Sequence, residues 1–502
     1  MRKSFCLLPL AAALLLSGCV NLAPDYTRPE APVAAAWPQD EATASATVLT
    51  DGLAQWGDFF TDPRMRELIR LGLMNNRDLR SATYAVEQAR AQYGVSRADL
   101  FPTIAAAADE TASRTPRSVS ASGRESTSQV YTAQLGMTAY ELDLFGRVRN
   151  LNEQALQAYM QTEAAQRSMQ MTVITEIAQT WLSLGAAKDL LKLANQTYES
   201  QVQSLKLIEK SYELGASSQL EVQQAVTTVA SAQAAQAQAR RSVSQYRNAL
   251  NVLVGSPIAP SLEPNGLVDS ATNPVSTVSG MPSEVLLQRP DIAAAEAALR
   301  SANANIGVAR AAFFPSISLT GAFGTTSTEL SDLFSSGTGF WNFVPQISLP
   351  IFTGGRNVAN LQAAEAAQKA AVADYESAIQ KAFLEVADAL AMEGTVGDEL
   401  KAQQKLADAT AESLRLSEER YKNGAESYLT VLDSQRANFS AQQTLISTKL
   451  SRVTSFVTLY KVLGGGSQLE PQAAQSGQAQ AVQGDAVGTN GSSLAGSGNE
   501  RS

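Results

Sequence analysis

Gly94-Val95-Ser96-Arg97-Ala98-Asp99-Leu100-Phe101-Pro102-Thr103-Ile104 is answered about 210 residues later by Gly307-Val308-Ala309-Arg310-Ala311-Ala312-Phe313-Phe314-Pro315-Ser316-Ile317. The echo holds on both sides of this stretch. Asp78-Leu79 returns as Asp291-Ile292, while Tyr212, Gly215-Ala216, Leu220 and Val222 return as Tyr421, Gly424-Ala425, Leu429 and Val431. Gly185 with Gly394, and Gly255 with Gly464, keep the same spacing. Self-similarity at a fixed period marks a repeated structural unit. The chain therefore reads as two internal structural repeats, residues 63–255 and 282–466, joined by a Pro/Ser/Thr/Asn-rich connector over 256–281.

Each half begins with a helical segment, Pro63–Leu100 or Pro282–Phe313, which Pro102 or Pro315 closes because proline cannot continue the hydrogen-bond ladder. Each also contains a long proline-free run, Arg147–Glu213 or Arg356–Asn423. As a helix, such a run reaches on the order of 100 Å. Met169, Val173, Ile177, Trp181 and Leu184, and likewise Ile379, Phe383, Val386 and Leu390, step by three or four, as a helix burying one stripe requires. Return helices are expected after Gly215-Ala216-Ser217 and Gly424-Ala425-Glu426, where glycine can take the left-handed conformation that ends a helix. Both tight hairpins then place their tips at the same end.

The N-terminus reads Met1-Arg2-Lys3, an apolar stretch from Phe5 to Leu16, then Leu16-Ser17-Gly18-Cys19. A basic start and a short apolar core describe a secretory signal over 1–18, too short to span a bilayer. The Leu-Ser-Gly-Cys ending resembles a bacterial lipobox. That likeness implies a covalent lipid on Cys19, an S-diacylglycerol and an N-acyl group such as palmitate, and Val20 in second place favours the outer membrane. Residues 19–62, rich in proline, read as an extended lipid-anchored segment, and the Gln/Ala/Gly/Ser-rich tail 467–502 as disordered.

The anchor changes the meaning of the alternating segments. Tyr131, Ala133, Leu135, Met137 and Ala139 share one face of a candidate strand. Ile317, Leu319 and Phe323 oppose Ser316, Ser318 and Thr320, and Trp341, Phe343, Ile347 and Leu349 oppose Asn342, Gln346 and Ser348. Ile104-Ala105-Ala106-Ala107-Ala108 reads as a strand only because it stands where Ile317 stands in the repeat. In lipid a sheet must close on itself, and the smallest outer-membrane barrels have about 8 strands. Four strands per chain cannot close alone, so the chain must oligomerise.

Composition narrows the function. Of 502 residues 6% are aromatic, which suits long helices better than compact mixed cores. The net charge of -9, with no basic run, speaks against nucleic acid as a partner. There is no histidine, and of two cysteines Cys6 falls in the signal and Cys19 carries the lipid. The usual metal ligands and triad bases are therefore missing, and neither metal, cofactor nor enzymatic activity is expected.

The lipobox, Pro-Asp-Tyr-Thr-Arg-Pro-Glu-Ala-Pro-Val at 24–33, Tyr-Glu-Leu-Asp-Leu-Phe-Gly-Arg at 140–147 and Tyr-Leu-Thr-Val-Leu-Asp-Ser-Gln-Arg at 428–436 together resemble the outer-membrane channel (outer membrane factor) family of tripartite efflux pumps. The likeness is to its OprM-like lipoprotein branch and, more distantly, to TolC. It implies an α+β membrane protein: a homotrimer with one twelve-stranded β-barrel, four strands from each chain, continued by a periplasmic α-helical barrel of four long helical stretches per chain with a small mixed equatorial region. It also implies two partners, a periplasmic adaptor (membrane fusion) protein and an inner-membrane pump of the resistance-nodulation-division type. The duct itself performs no chemistry and expels drugs or other small molecules.

The same resemblance carries site residues. Leu429 and Asp433 match the positions that constrict the tunnel, and Tyr421 and Arg436 those whose inter-helix contacts hold it closed. Being four apart, Leu429 and Asp433 share a helix face and in a trimer form a leucine ring and an aspartate ring. Their repeat partners are Leu220 and Gln224, and Thr227 stands where Arg436 does, so the gate is asymmetric. Adaptor contacts are expected at Gly215, Ala216 and Ser217 and at Gly424, Ala425 and Glu426. Two other readings stay open: a duct for type I protein secretion, and a non-conducting lipid-anchored coiled-coil scaffold, which would show almost no β-structure.

Overall fold

A computed structural model describes residues 20–35, 37, 55–121, 123–268, 270–272 and 283–465. The signal 1–18, Cys19, the tail 467–502 and part of the connector lie outside the described residues. In chain order the helices are α1 (Pro63–Asn75), α2 (Arg77–Ala98), α3 (Arg147–Glu213), α4 (Gln219–Val254), α5 (Pro290–Ala311), α6 (Arg356–Lys422) and α7 (Tyr428–Val462). The strands are β1 (Ile104–Thr115), β2 (Ser126–Leu142), β3 (Ser316–Ser327) and β4 (Gly339–Ser348).

Helices α3 and α6 have 67 residues each, about 100 Å at the helical rise. The partners α4 and α7 return only about half that way. Each is continued by a shorter helix set against its end. Asn76, the N-cap of α2, donates from its side chain to Leu253 O at 2.7 Å, near the end of α4. Arg289, the N-cap of α5, donates to Val462 O at 2.8 Å, the end of α7. Four long columns thus arise from two unbroken helices and two abutted pairs, rather than from four continuous helices.

The opening segments are also broken. The expected helix over 63–100 is interrupted at Asn76, whose side chain accepts from Leu79 N and restarts the helix. In the second half a 3-10 turn (Ser283–Gln288) precedes α5. Within 19–62, Trp56–Phe59 forms a helical turn where extended chain is expected.

The strands form one antiparallel sheet in the order β1-β2-β3-β4, with one edge of β1 and one of β4 unpaired within the chain. Ala106, Leu135, Phe323 and Trp341 lie side by side across all four strands, as do Ile104, Met137, Gly321 and Phe343. The other face carries Gln134, Thr320, Ser318, Asn342 and Gln346, with Ser318 directly opposite Gln346, and also Phe340 and Val344. Alternation in β2 does not run on through Ala139. A bulge between Met137 and Tyr140, with Ala139 at φ 53°, places Tyr140 opposite Leu319 and Leu142 opposite Ile317. The extra residue keeps Tyr140 and Leu142 on the apolar face and turns Glu141 to the polar one, which uninterrupted alternation would have reversed. Leu349 falls just beyond the end of β4.

The apolar face is bare: Trp341 is 78% exposed. The chain instead buries its large side chains midway along the helices. Phe60, Met65, Leu68, Ile69, Ile177 and Trp181 join Leu250, Val457 and Tyr460 in one core. Ile292, Leu299, Tyr375, Ile379, Val386 and Leu459 form a second with Trp37. Each such aliphatic side chain contributes about 1.5–3 kcal/mol on leaving water. Two extended segments are strapped across these cores. Connector residue Glu263 accepts from Arg247 at 2.6 Å and from Lys188 at 2.8 Å. Glu296 of α5 accepts from Arg28 at 2.8 Å and from Arg300 at 2.7 Å, fixing residues 20–35 along α5.

Candidate gate and hairpin tips

Both hairpins turn in the same way. Gly215 and Gly424 have φ of 70° and 71°. Ala216 N–H reaches back to Ser211 O at 2.8 Å and Ala425 N–H to Arg420 O at 2.9 Å, so orphan carbonyls at each helix end are satisfied. The return helices then start on a serine. Ser218 and Glu221 cap each other's backbone in α4, and Ser427 accepts from Thr430 N in α7.

The side chains at the tips differ. Among the first, Leu214 is 84% exposed and Leu220 is exposed too. Around the second, Arg420 donates to Glu426 at 3.3 Å, and Thr430 Oγ1 donates to the same carboxylate at 3.0 Å. The Thr430 hydroxyl, with the Ser427 amide, holds the Glu426 carboxyl below its ordinary value. All six tip residues singled out in the sequence thus lie on the two turns.

Along α7 two stripes separate. Tyr428, Val431, Leu432 and Gln435 are buried, whereas Leu429, Asp433 and Arg436 are exposed on an adjacent face, Leu429 to 54%. Asp433 and Arg436 face each other at 3.7 Å, both largely in solvent. Within one chain that pair is loose and worth little. Tyr421 is placed differently: its ring lies 5.5 Å from that of Tyr428, inside the cluster of Ile208, Val222, Ala225, Val431 and Leu432 that joins the hairpins. Its ring contact is with Tyr428, the sequence neighbour of Leu429.

Two features at this end escaped the sequence reading. Burial pushes the Tyr428 phenol up to about 12, so it stays neutral while its ring seals the contact between the hairpins. Gln201 donates to Gln435 at 2.9 Å from α3 to α7, and beside this pair a cavity of about 160 Å³ opens towards Arg436. The available signal was the spacing 428, 431, 432, 435, an apolar stripe interrupted by one amide. Among the described residues no three side chains converge as metal ligands, and no helix is long and apolar enough to cross a membrane.

Comparison with known proteins gives this geometry its context. The outer membrane efflux protein family matches the chain twice, over residues 68–256 and 281–465. Two relatives from Pseudomonas putida, the antibiotic efflux pump outer membrane protein ArpC and the toluene efflux pump outer membrane protein TtgC, are each 46% identical over 470 residues, 93% of this chain and 96% of theirs. A crystal structure of a membrane protein from Pseudomonas aeruginosa superposes with a TM-score of 0.83 at 41% identity, covering 88% of this chain and all of that one. The chain belongs to the outer membrane efflux protein family, whose members are outer-membrane transport ducts rather than enzymes.

Proposed function

We propose that three copies of this chain close their sheets into one twelve-stranded barrel, from which the long helices descend as a tunnel through the periplasm. The unpaired edges of β1 and β4 carry this reading. Four antiparallel strands leave the two edges running oppositely, so β4 of one copy can pair with β1 of the next. Two copies would give eight strands, whose interior side chains fill, whereas twelve leave a duct. The apolar row through Leu135, Phe323 and Trp341 then meets lipid, and the opposite face, which carries Gln134, Asn342 and the row Glu141-Ser318-Gln346, faces the lumen.

The chain acts as the outer-membrane component of an efflux system, expelling small molecules that an inner-membrane pump delivers. A periplasmic adaptor docks on the tips at Gly215, Ala216 and Ser217 and at Gly424, Ala425 and Glu426. Leu429 and Asp433 form the constriction, with Arg436 and Tyr421 holding it. The relatives' names speak of antibiotic in one case and toluene in the other at equal identity to this chain, which supports selection by the pump rather than by the duct. The lipid on Cys19 anchors the chain at the foot of the barrel. Purification in detergent with a mass measurement and planar-bilayer recording tests the assembly: a conducting trimer is expected, and a non-conducting monomer or dimer overturns it.

A further inference from the structure

The first residues after Cys19 are held in a slot. Val20 N–H donates to Leu144 O at 3.0 Å, in the turn between β2 and α3. Asn21 Oδ1 accepts from Asn150 Nδ2 at 2.8 Å and from Ala23 N at 3.1 Å. The slot is walled by two glycines. A Cβ on Gly146, whose φ is 79°, would stand 2.9 Å from Asn21 Oδ1, and one on Gly307 would stand 2.3 Å from Asn150 Nδ2 and 2.8 Å from Ala23 Cβ. Further along, Leu22 O accepts from Arg310 and Pro24 O from Asn303. Residues 20–24 therefore have a fixed path, and Cys19 begins one peptide, about 3.8 Å, from Val20.

Leu144, which receives Val20, also lines a groove of about 310 Å³ at the foot of the sheet. Its apolar wall includes Leu142, Phe145, Phe314 and Pro350, with Phe145 and Phe314 stacked 4.7 Å apart. Its polar rim contains Arg147, which is paired twice with Glu141. Ile351 and Phe352, just past Pro350, are almost fully exposed and continue the apolar surface outward. A glycerol diester matches this pattern, with its ester groups at a polar rim and its acyl chains along an apolar wall.

We propose that the lipid on Cys19 is not a loose tether but sits in this groove, where its glyceryl head and first acyl carbons join the β2–α3 and α5–β3 junctions. This rests on the lipidation of Cys19 proposed above. The occupant is the chain's own lipid rather than a membrane phospholipid because the slot delivers Cys19 to the groove. The seated lipid braces the foot of the sheet against the helices.

The test places a benzophenone side chain at Phe314, and separately at Phe145 in case one position disturbs folding, with Phe334 in the β3–β4 connection as control. After irradiation of the assembled protein in membranes, mass spectrometry of the N-terminal peptide should show adducts with the lipid of Cys19 from both groove positions and none from Phe334. If that peptide carries lipid but the groove positions capture only free phospholipid, or nothing, the seat is overturned while the anchor stands. If the peptide carries no lipid, anchor and seat fall together. A thermal cycle gives a second readout. Replacing Cys19 by Ala should lower the unfolding temperature less in Phe314→Ser than in the unaltered protein, whereas equal losses contradict the seat.

Discussion

The two hairpins have one backbone and two surfaces. Gly215 and Gly424 turn the chain with the same φ and the same carbonyl capture, and a serine restarts the helix at each. Yet where α7 presents Tyr428, Leu429, Asp433 and Arg436, α4 presents Gln219, Leu220, Gln224 and Thr227. Building a tunnel requires both halves to turn alike, whereas closing it can be left to one. The middle of the molecule shows the reverse arrangement. There unrelated residues do the same work in each half, Glu263 strapping the connector to α3 and α4, and Glu296 strapping the N-terminal segment to α5.

Tyr428 is buried where its counterpart Gln219 is exposed, so truncating it should have the largest effect on stability. Tyr428→Ala should cost about 3–5 kcal/mol, as removal of a buried ring does, and should appear as faster amide exchange around residues 421–435. Gln219→Ala, its counterpart, should change little. If the two behave alike, the hairpins are not joined through Tyr428.

Both straps should weaken in acid. Hydrogen bonds from Arg247, foremost, and from Lys188 outweigh burial and hold the Glu263 carboxyl down at about 2. At Glu296 burial opposes ionisation, but hydrogen bonds from Arg28 and Arg300 still hold the carboxyl below its ordinary value. A folded-state value that is depressed stabilises the protein above the unfolded value and is lost as pH falls towards the folded one. Glu263→Gln should therefore cost about 2 kcal/mol at neutral pH, allowing for screening around the half-exposed Arg247. The difference from the unaltered protein should vanish between the ordinary glutamate value and about 2. Denaturant unfolding at several pH values checks this, and a pH-independent difference would remove the carboxylate from the strap.

The turns themselves should respond least, and equally. Gly215→Ala and Gly424→Ala each put a side chain at positive φ, at a cost of about 1–2 kcal/mol. Local exchange at the two tips should rise to the same extent. Unequal responses would show that the shared backbone carries different strain in the two halves.

Much of this architecture was legible because helices and strands leave different periods. The lengths of α3 and α6, the glycine turns and three of the strands followed from prolines, glycines and alternation, and β1 followed only from its place in the repeat. Local capping and pairing were less visible. Asn76 breaks the first helix through a side-chain bond to its own backbone, and no hydrophobic period reveals that. The bulge in β2 is fixed by pairing with β3, nearly 180 residues away in sequence. At the tips the exposed stripe Leu429, Asp433, Arg436 could be read from spacing and family likeness. The packing of Tyr421 could not, because its ring lies on Tyr428 within a cluster assembled from both hairpins.

The proposed gate assigns closure of the duct to the second hairpin and not to the first. Single-channel conductance of the assembled protein in a planar bilayer tests it directly. Asp433→Ala combined with Arg436→Ala should raise the conductance several-fold, on the order of the gain from freeing a narrow charged constriction, while Gln224→Ala with Thr227→Ala should leave it unchanged. Unchanged conductance in the first pair, measured on a correctly assembled oligomer, would contradict the account and take Asp433 and Arg436 out of the gate.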